Sequence, residues 1–242
     1  MSKSLLIKCG LQVNAALRNI GLRVTRFPPP ADRRRIRLLQ SHAIDTVIDI
    51  GANAGQYASL LRLLGYRGRI ASYEPLPDAF QRLQAAAAAD SAWTVVQKAV
   101  GDASGTLTLR VARNSVSSSV LEMSERHVEA EPESQAVGSV AVSSISLAEI
   151  IESAGAANLM VKIDTQGYER QVLASGAASL RSVRLFEIEM SLVELYSGQA
   201  LFREIDAKML EAGFRLASIE EGFFDKNTGE LLQMDAVYAR VS

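Results

Sequence analysis

The chain has 242 residues, 48% hydrophobic and 22% charged, which excludes a low-complexity or fibrous class and gives room for one sizeable α/β domain with a decorated end. A net charge of −1 gives no global attraction for nucleic acid or another polyanion. Cys9 is the only cysteine, which excludes a disulfide framework and a cysteine-held metal, and no apolar run approaches the roughly 20 residues of a spanning helix. With no clean export signal, these features predict a cytoplasmic protein.

Residues 1–40 hold nine Lys or Arg against Asp32 alone, a net +8 that leaves −9 for residues 41–242. Leu6, Val13, Leu17, Ile20 and Val24 recur at helical spacings over 3–24, interrupted by Gly10 and Gly21. The segment reads either as a docked helix with a solvated basic face or as a basic amphipathic contact for a membrane surface. Phe27-Pro28-Pro29-Pro30 predicts a stiff linker, and Asp32 an N-cap for a helix over 33–40. The expected organisation is a basic helical extension with a Pro-rich linker over 1–40, then one domain over 41–242.

From residue 46 strands and helices alternate. Strands are predicted over 46–50, 69–74, 93–97, 159–164 and 184–189, with helices over 56–64, 78–89 (capped by Asp78), 146–153 (a capping box, Ser146 to Glu149), 168–174 and 201–212. Residues 106–111 and 137–142 read as added strands. Residues 214–219 and 235–241 read as a closing antiparallel pair. The fold class predicted is α/β, a doubly wound and mostly parallel sheet with an antiparallel C-terminal strand. Residues 114–135, rich in Ser and then Glu with little periodicity, read as a lid.

The most informative stretch is Val47-Ile48-Asp49-Ile50-Gly51-Ala52-Asn53-Ala54-Gly55-Gln56-Tyr57. An apolar strand ends on an acid, turns on two glycines four apart and opens a helix, so backbone N–H groups and a helix dipole converge. The glycine spacing fits neither a dinucleotide fingerprint nor a P-loop. An acidic strand end suits a cationic, phosphate-free cofactor instead, of which S-adenosylmethionine is one. Glu74 follows 23 residues after Gly51, at the next strand's end, where such folds place a carboxylate for ribose hydroxyls. An NAD(P)-dependent oxidoreductase on a similar sheet and a non-catalytic cofactor-binding module are the competing readings.

The same turn resembles motif I of class I S-adenosylmethionine-dependent methyltransferases. Ser72-Tyr73-Glu74-Pro75-Leu76, Ala99-Val100-Gly101-Asp102, Asn114-Ser115 with Ser117-Ser118-Ser119, Val161-Lys162-Ile163-Asp164-Thr165-Gln166-Gly167-Tyr168-Glu169, Glu189-Met190-Ser191, the run Leu195-Tyr196-Ser197-Gly198-Gln199 and Leu232-Gln233-Met234-Asp235 resemble the FkbM family. The resemblance covers about residues 41–242 and implies a seven-stranded methyltransferase sheet and methyl transfer to oxygen, on a glycan or small-metabolite hydroxyl. It implies that Asp49, Gly51, Ala52, Asn53 and Gly55 line the methionine end of S-adenosylmethionine, with Gln56 and Tyr57 beside it. Glu74 and Pro75 would serve the ribose, Val100 and Gly101 the adenine, and Ser118 and Ser119 would approach from the lid. Gln166 departs from the acid that many members carry.

Methyl transfer to an alcohol needs an aligned oxygen and a late proton acceptor. His127, Asp164, Glu187, Glu189 and Asp235 are the candidates, His127 for its ordinary pKa near 6.5. Asp164 is read as contacting the cofactor's amine or the acceptor, or else as capping the helix near Gly167. Glu187 and Glu189 share one side by strand alternation. A divalent cation held by Asp164, Glu189 and Asp235 is possible, without a compact metal motif. His42 is read as structural.

Overall fold

A computed structural model of the chain describes residues 13–22, 24–25 and 27–241. The chain forms two compact units, residues 1–35 and 36–242. In the first, residues 13–17 are helical, continue into a 3-10 turn at Arg18–Ile20, and stop at left-handed Gly21 (φ 71°). The Asn14 side chain exchanges two hydrogen bonds with the Val24 backbone, 2.9 and 2.7 Å long. Leu6 and the rest of the predicted 3–12 stretch lie outside the described residues. Helix α1 (Pro30–Ser41) begins three residues before the predicted 33–40 helix. Proline's fixed φ and missing N–H suit the first helical position. Asp32 therefore sits in the first turn instead of capping it, and pairs with Arg35 at 2.9 Å.

In the second unit, strand β1 (Thr46–Ile50) leads through α2 (Gln56–Leu63) to β2 (Arg69–Tyr73), then through α3 (Pro77–Ala87) to β3 (Trp93–Val96). Pro77 opens α3, so Leu76 occupies the N-cap position predicted for Asp78. The chain next builds β4 (Ala99–Gly101), β5 (Gly105–Ala112), α4 (Glu125–Ala130) and β6 (Ala136–Ser146). It returns through α5 (Leu147–Ala154) to β7 (Leu159–Ile163), α6 (Glu169–Ser175), β8 (Val183–Ser191), α7 (Phe202–Glu211), β9 (Phe214–Glu221) and β10 (Gln233–Arg240). The predicted capping box at Ser146 and Glu149 is present.

The seven-stranded sheet has the order β3-β2-β1-β7-β8-β10-β9. It is parallel from β3 to β8, and only β10 is antiparallel to its neighbours β8 and β9. A second sheet, β4-β6-β5, occupies the crossover from β3 to β7. It gives the added strands predicted at 106–111 and 137–142 a sheet of their own. Among the described residues no helix is long and apolar enough to cross a membrane.

Alternation divides the large sheet into two faces. Ile48, Ile50, Val161, Ile163, Phe186, Ile188 and Tyr238 pack with Leu147, Val172, Ile205 and Met209. Val47, Met160, Leu185 and Val237 pack on the other face with Leu39, Ala58, Leu61 and Leu83. On this second face the apolar layer gives way to polar side chains toward the strand ends. Ser72, Asp49, Lys162 and Glu187 lie in one register row, with Gly51, Asp164, Glu189 and Asp235 farther toward the carboxyl ends of the parallel strands. Between β1 and β7 the winding reverses direction, and a crevice opens outside strand ends at such a point.

Candidate active site

The glycine turn is fastened to the sheet. Gly51 N–H and Ala52 N–H both donate to the Tyr73 carbonyl at 3.0 Å, and Asp164 N–H donates to Ile50 at 3.2 Å. Gly51 has φ 75°, and a Cβ there would stand 1.8 Å from the Asp164 carbonyl oxygen. A Cβ on Gly55 would meet Trp93 and Leu83 within 3.0 Å. Both glycines are thus demanded by protein packing, whereas the sequence reading gave them to the ligand.

Glu74 is 4% exposed and braces the turn, accepting from Asn53 N–H and Leu76 N–H at 2.8 Å on separate oxygens. Each oxygen keeps a second lone pair for a hydroxyl donor. Burial raises the Glu74 pKa against these two bonds. Ala54 N–H is taken by the Asn53 and Gln56 side chains. Asn53 reaches Ser115 in the predicted lid at 3.4 Å. Asn53, Ser115 and Gln166, all on this crevice, have positive φ without being glycine (47°, 57° and 54°). Such strain concentrates where surrounding structure over-determines the backbone.

Asp49 is fully buried near the end of β1. One oxygen accepts from Ser72, and the other has no hydrogen-bond partner, with Lys162 Nζ 3.8 Å away. Burial raises its pKa, and Lys162 opposes the rise. Lys162 gives its ammonium to Asp164 at 3.0 Å and lies 5.5 Å over the Tyr57 ring, whose hydroxyl donates to Glu187 at 2.7 Å. Desolvation works against the Lys162 charge, but Asp164 and Asp49 outweigh it and raise its pKa. The sequence reading gave Lys162 no role, because a lysine in a strand reads as a solvent-facing position.

Asp164 does not cap the following helix. Glu169 takes the Thr165 and Gly167 N–H groups, while Asp164 is bonded by Lys162 and, at 2.8 Å, by Gln166 Nε2. Gln166 Nε2 also donates to Glu189 Oε2 at 2.7 Å, and Gln233 Nε2 donates to that oxygen at 3.0 Å. The Tyr196 hydroxyl stands 2.7 Å from Gln166 Oε1 and 3.0 Å from the Ser117 carbonyl, two acceptors for its one proton. Burial first, then Asp164 and Asp235, hold the Glu189 pKa well above the carboxylate range.

The 114–135 segment is more ordered than the expected lid. It contains α4 and a 3-10 turn at Pro132–Ser134, and isolated bridges tie Ser119 to Arg110 and Met123 to Tyr196. Ser118 accepts from Ala112 N–H, and Ser119 donates to the Gln166 carbonyl, so both hydroxyls fasten the segment itself. His127, expected to be an accessible base, is 3% exposed, edge-on to Tyr196 and beside Phe223. Burial pushes its pKa down to about 4, and Nδ1 has no partner. Val100 and Gly101 form β4, where Val100 belongs to the same apolar cluster as Tyr73 and Tyr168. No group of three or more His, Cys, Asp or Glu among the described residues is arranged to hold a metal ion, Asp164, Glu189 and Asp235 included.

A parallel sheet with one reversed strand beside its edge and an acid-lined crevice at its switch point is the class I methyltransferase architecture. The sequence profile of the methyltransferase FkbM domain matches residues 49–216, and the chain belongs to that family. No curated protein matches it. Similar solved structures include TehB from Haemophilus influenzae (8% identity, 85% of this chain and 61% of that one, TM-score 0.47). The human methyltransferase 10 domain containing protein is 12% identical over 96% and 95% of the two chains, with TM-score 0.45. Magnesium protoporphyrin IX methyltransferase from Synechocystis, with bound S-adenosylmethionine, is 11% identical over 87% and 81%, with TM-score 0.45.

Proposed function

We propose that the protein is an S-adenosylmethionine-dependent O-methyltransferase acting on a hydroxyl of a glycan or small metabolite. The observation that carries the reading is the charge of the crevice. Asp49, Asp164, Glu187, Glu189 and Asp235 lie around the buried Lys162 ammonium, and Glu74 stands nearer Asp49 and Asp164. Such a surround favours a sulfonium with an α-amino group and opposes a pyrophosphate. The residues present fit that cofactor: Glu74 has lone pairs for the ribose diol, and Asp164 a carboxylate for the amine. S-adenosylmethionine, when bound, supplies a methyl carbon bonded to a positive sulfur.

The chain's own residues then have three tasks. The strained turn fixes Glu74, the Lys162 ammonium bonds Asp164 and opposes the rise in the Asp49 pKa, and Glu189 accepts the proton that the acceptor hydroxyl gives up as its oxygen gains the methyl group. Calorimetric binding of S-adenosylmethionine, followed by transfer of a labelled methyl group to a panel of hydroxylated sugars and metabolites, tests the reading. Binding of NAD(P) without S-adenosylmethionine would overturn it. Cofactor binding without transfer across the panel would favour a non-catalytic binding module.

The N-terminal unit supports a second, separate proposal: a cytoplasmic-side contact with an anionic membrane surface. Val13, Ile20, Leu22, Val24 and Phe27 are 47–67% exposed within a segment of net positive charge. Apolar insertion and basic attraction together are the two signals that peripheral binding needs.

A further inference from the structure

We propose that Gln166 is a positioning residue that locks Glu189 with one oxygen clamped and the other presented to the acceptor hydroxyl. The inference rests on the methyltransferase reading above and assigns a part of the site that reading leaves open. Gln166 is the hub of the polar network. One amide nitrogen donates to Asp164 Oδ1 and Glu189 Oε2, and its oxygen faces the Tyr196 hydroxyl. Its carbonyl accepts from Ser119 at 2.6 Å. Tyr196 is fully buried and holds the amide from behind, and turning the amide over would replace both donations to Asp164 and Glu189 with contacts between oxygens. Gln233 supplies the second donor to Glu189 Oε2. Among the described residues nothing donates to Glu189 Oε1, and this side chain is only half-buried at the strand end.

An acid at position 166 could not do this work. A carboxylate offers no donor to two neighbouring carboxylates, and would add a third negative charge between them. The φ of 54° at Gln166 fits this account, because glycine would take that backbone without strain yet supply no amide. Burial, then the charged groups Asp164, Asp235 and Glu169 around Glu189, oppose its ionisation, and Lys162 favours it; Glu189 in turn raises the pKa of the neighbouring Tyr196 hydroxyl, after burial. The two amide donors add to the Lys162 side of that balance.

The test uses the full chain with Gln166→Gly and Gln166→Glu. Glycine relieves the left-handed backbone, which offsets part of the cost of the lost side-chain bonds, so a cooperative melt should remain and separate side-chain loss from misfolding. Glu189 loses a donor in both variants, so its carboxyl, followed by carbon-13 NMR, should titrate at higher pH than in the wild type, farther in Gln166→Glu. With an acceptor from the panel, kcat should fall about tenfold or more and the acid limb of its pH profile should move to higher pH. Binding of S-adenosylhomocysteine should change less than kcat in Gln166→Gly, because on the donor side that variant loses only the bond to Asp164 Oδ1. An unmoved Glu189 titration in both variants, or an unchanged kcat with an unchanged pH profile, overturns the proposal. If the wild type fails to bind S-adenosylhomocysteine, the cofactor reading falls instead, and the NMR titration still decides the clamp.

Discussion

Gly51→Ala should damage the protein through one atom. The added Cβ would lie 1.8 Å from the Asp164 carbonyl oxygen and 3.0 Å from its carbonyl carbon. Neither neighbour is the end of a flexible side chain. The ends of β1 and β7 must therefore part by more than an ångström, straining the Asp164 N–H to Ile50 bond of 3.2 Å. Overpacking of this kind costs about 1–3 kcal/mol. The left-handed φ of 75° adds roughly 1–2 kcal/mol for any residue with a Cβ. Together these remove about 2–5 kcal/mol, against a total stability on the order of 5–15 kcal/mol. Gly65→Ala is the internal control, since Gly65 has φ 94° and nothing within 4 Å of its Cβ position. It should cost only the backbone share, so thermal melting should separate the two variants by about 1–3 kcal/mol, or several degrees. Calorimetry should show weakened S-adenosylmethionine binding in Gly51→Ala alone. Equal melting of the two variants with intact binding in both would refute the claim that strand approach dictates glycine here.

Lys162→Met should destabilise by about 3–5 kcal/mol in urea titration, because the buried Asp49 carboxyl would lose its nearby cation and Asp164 its ammonium donor. The sign follows from the raised folded pKa: Lys162 contributes fully below its ordinary value of 10.5 and loses that contribution only as pH rises through the folded value. His127 behaves oppositely. Its folded pKa of about 4 lies below the ordinary 6.5, so the unfolded chain binds the proton first and stability declines as pH falls from 6.5 toward 4. His127→Phe should flatten that limb in melting curves while leaving S-adenosylmethionine binding intact, and a lost affinity would place His127 closer to the cofactor than the structure does. For the N-terminal unit, co-sedimentation of the full chain should be strong with phosphatidylglycerol-containing vesicles and weak with phosphatidylcholine alone. Ile20→Glu with Leu22→Glu should abolish it, and salt should weaken it.

Much of the large sheet was legible because its strands are short apolar runs closed by acids and glycines. Asp49, Glu74 and Asp164 could each be placed at a strand end from local pattern alone. What was not legible depends on pairing between distant segments. Nothing in the Val161-Lys162-Ile163 triplet says that Lys162 faces Asp49, since the β1–β7 register joins residues more than a hundred apart. Gln166, Gln233 and Tyr196 converge from three loops or strand ends, and no periodicity connects them. His127 was misjudged because Glu125, Glu129 and Glu131 around it gave the segment a solvent-exposed look, whereas α4 turns its ring onto Tyr196. The early starts of α1 and α3 come from Pro30 and Pro77, whose preference for the first helical turn outweighed the aspartates that follow.

The place of β10 has a consequence for synthesis. Its seven paired residues separate β8 from β9, so a strand made late fills an interior position. As the chain leaves the ribosome, β8 can already join β7 while its other edge stays bare, and β9 has no partner at all. That edge, Leu185 to Ser191, offers open backbone groups and an apolar face to any other nascent chain. The sheet is therefore finished by insertion, and until β10 arrives the β8 edge stays open to misassembly.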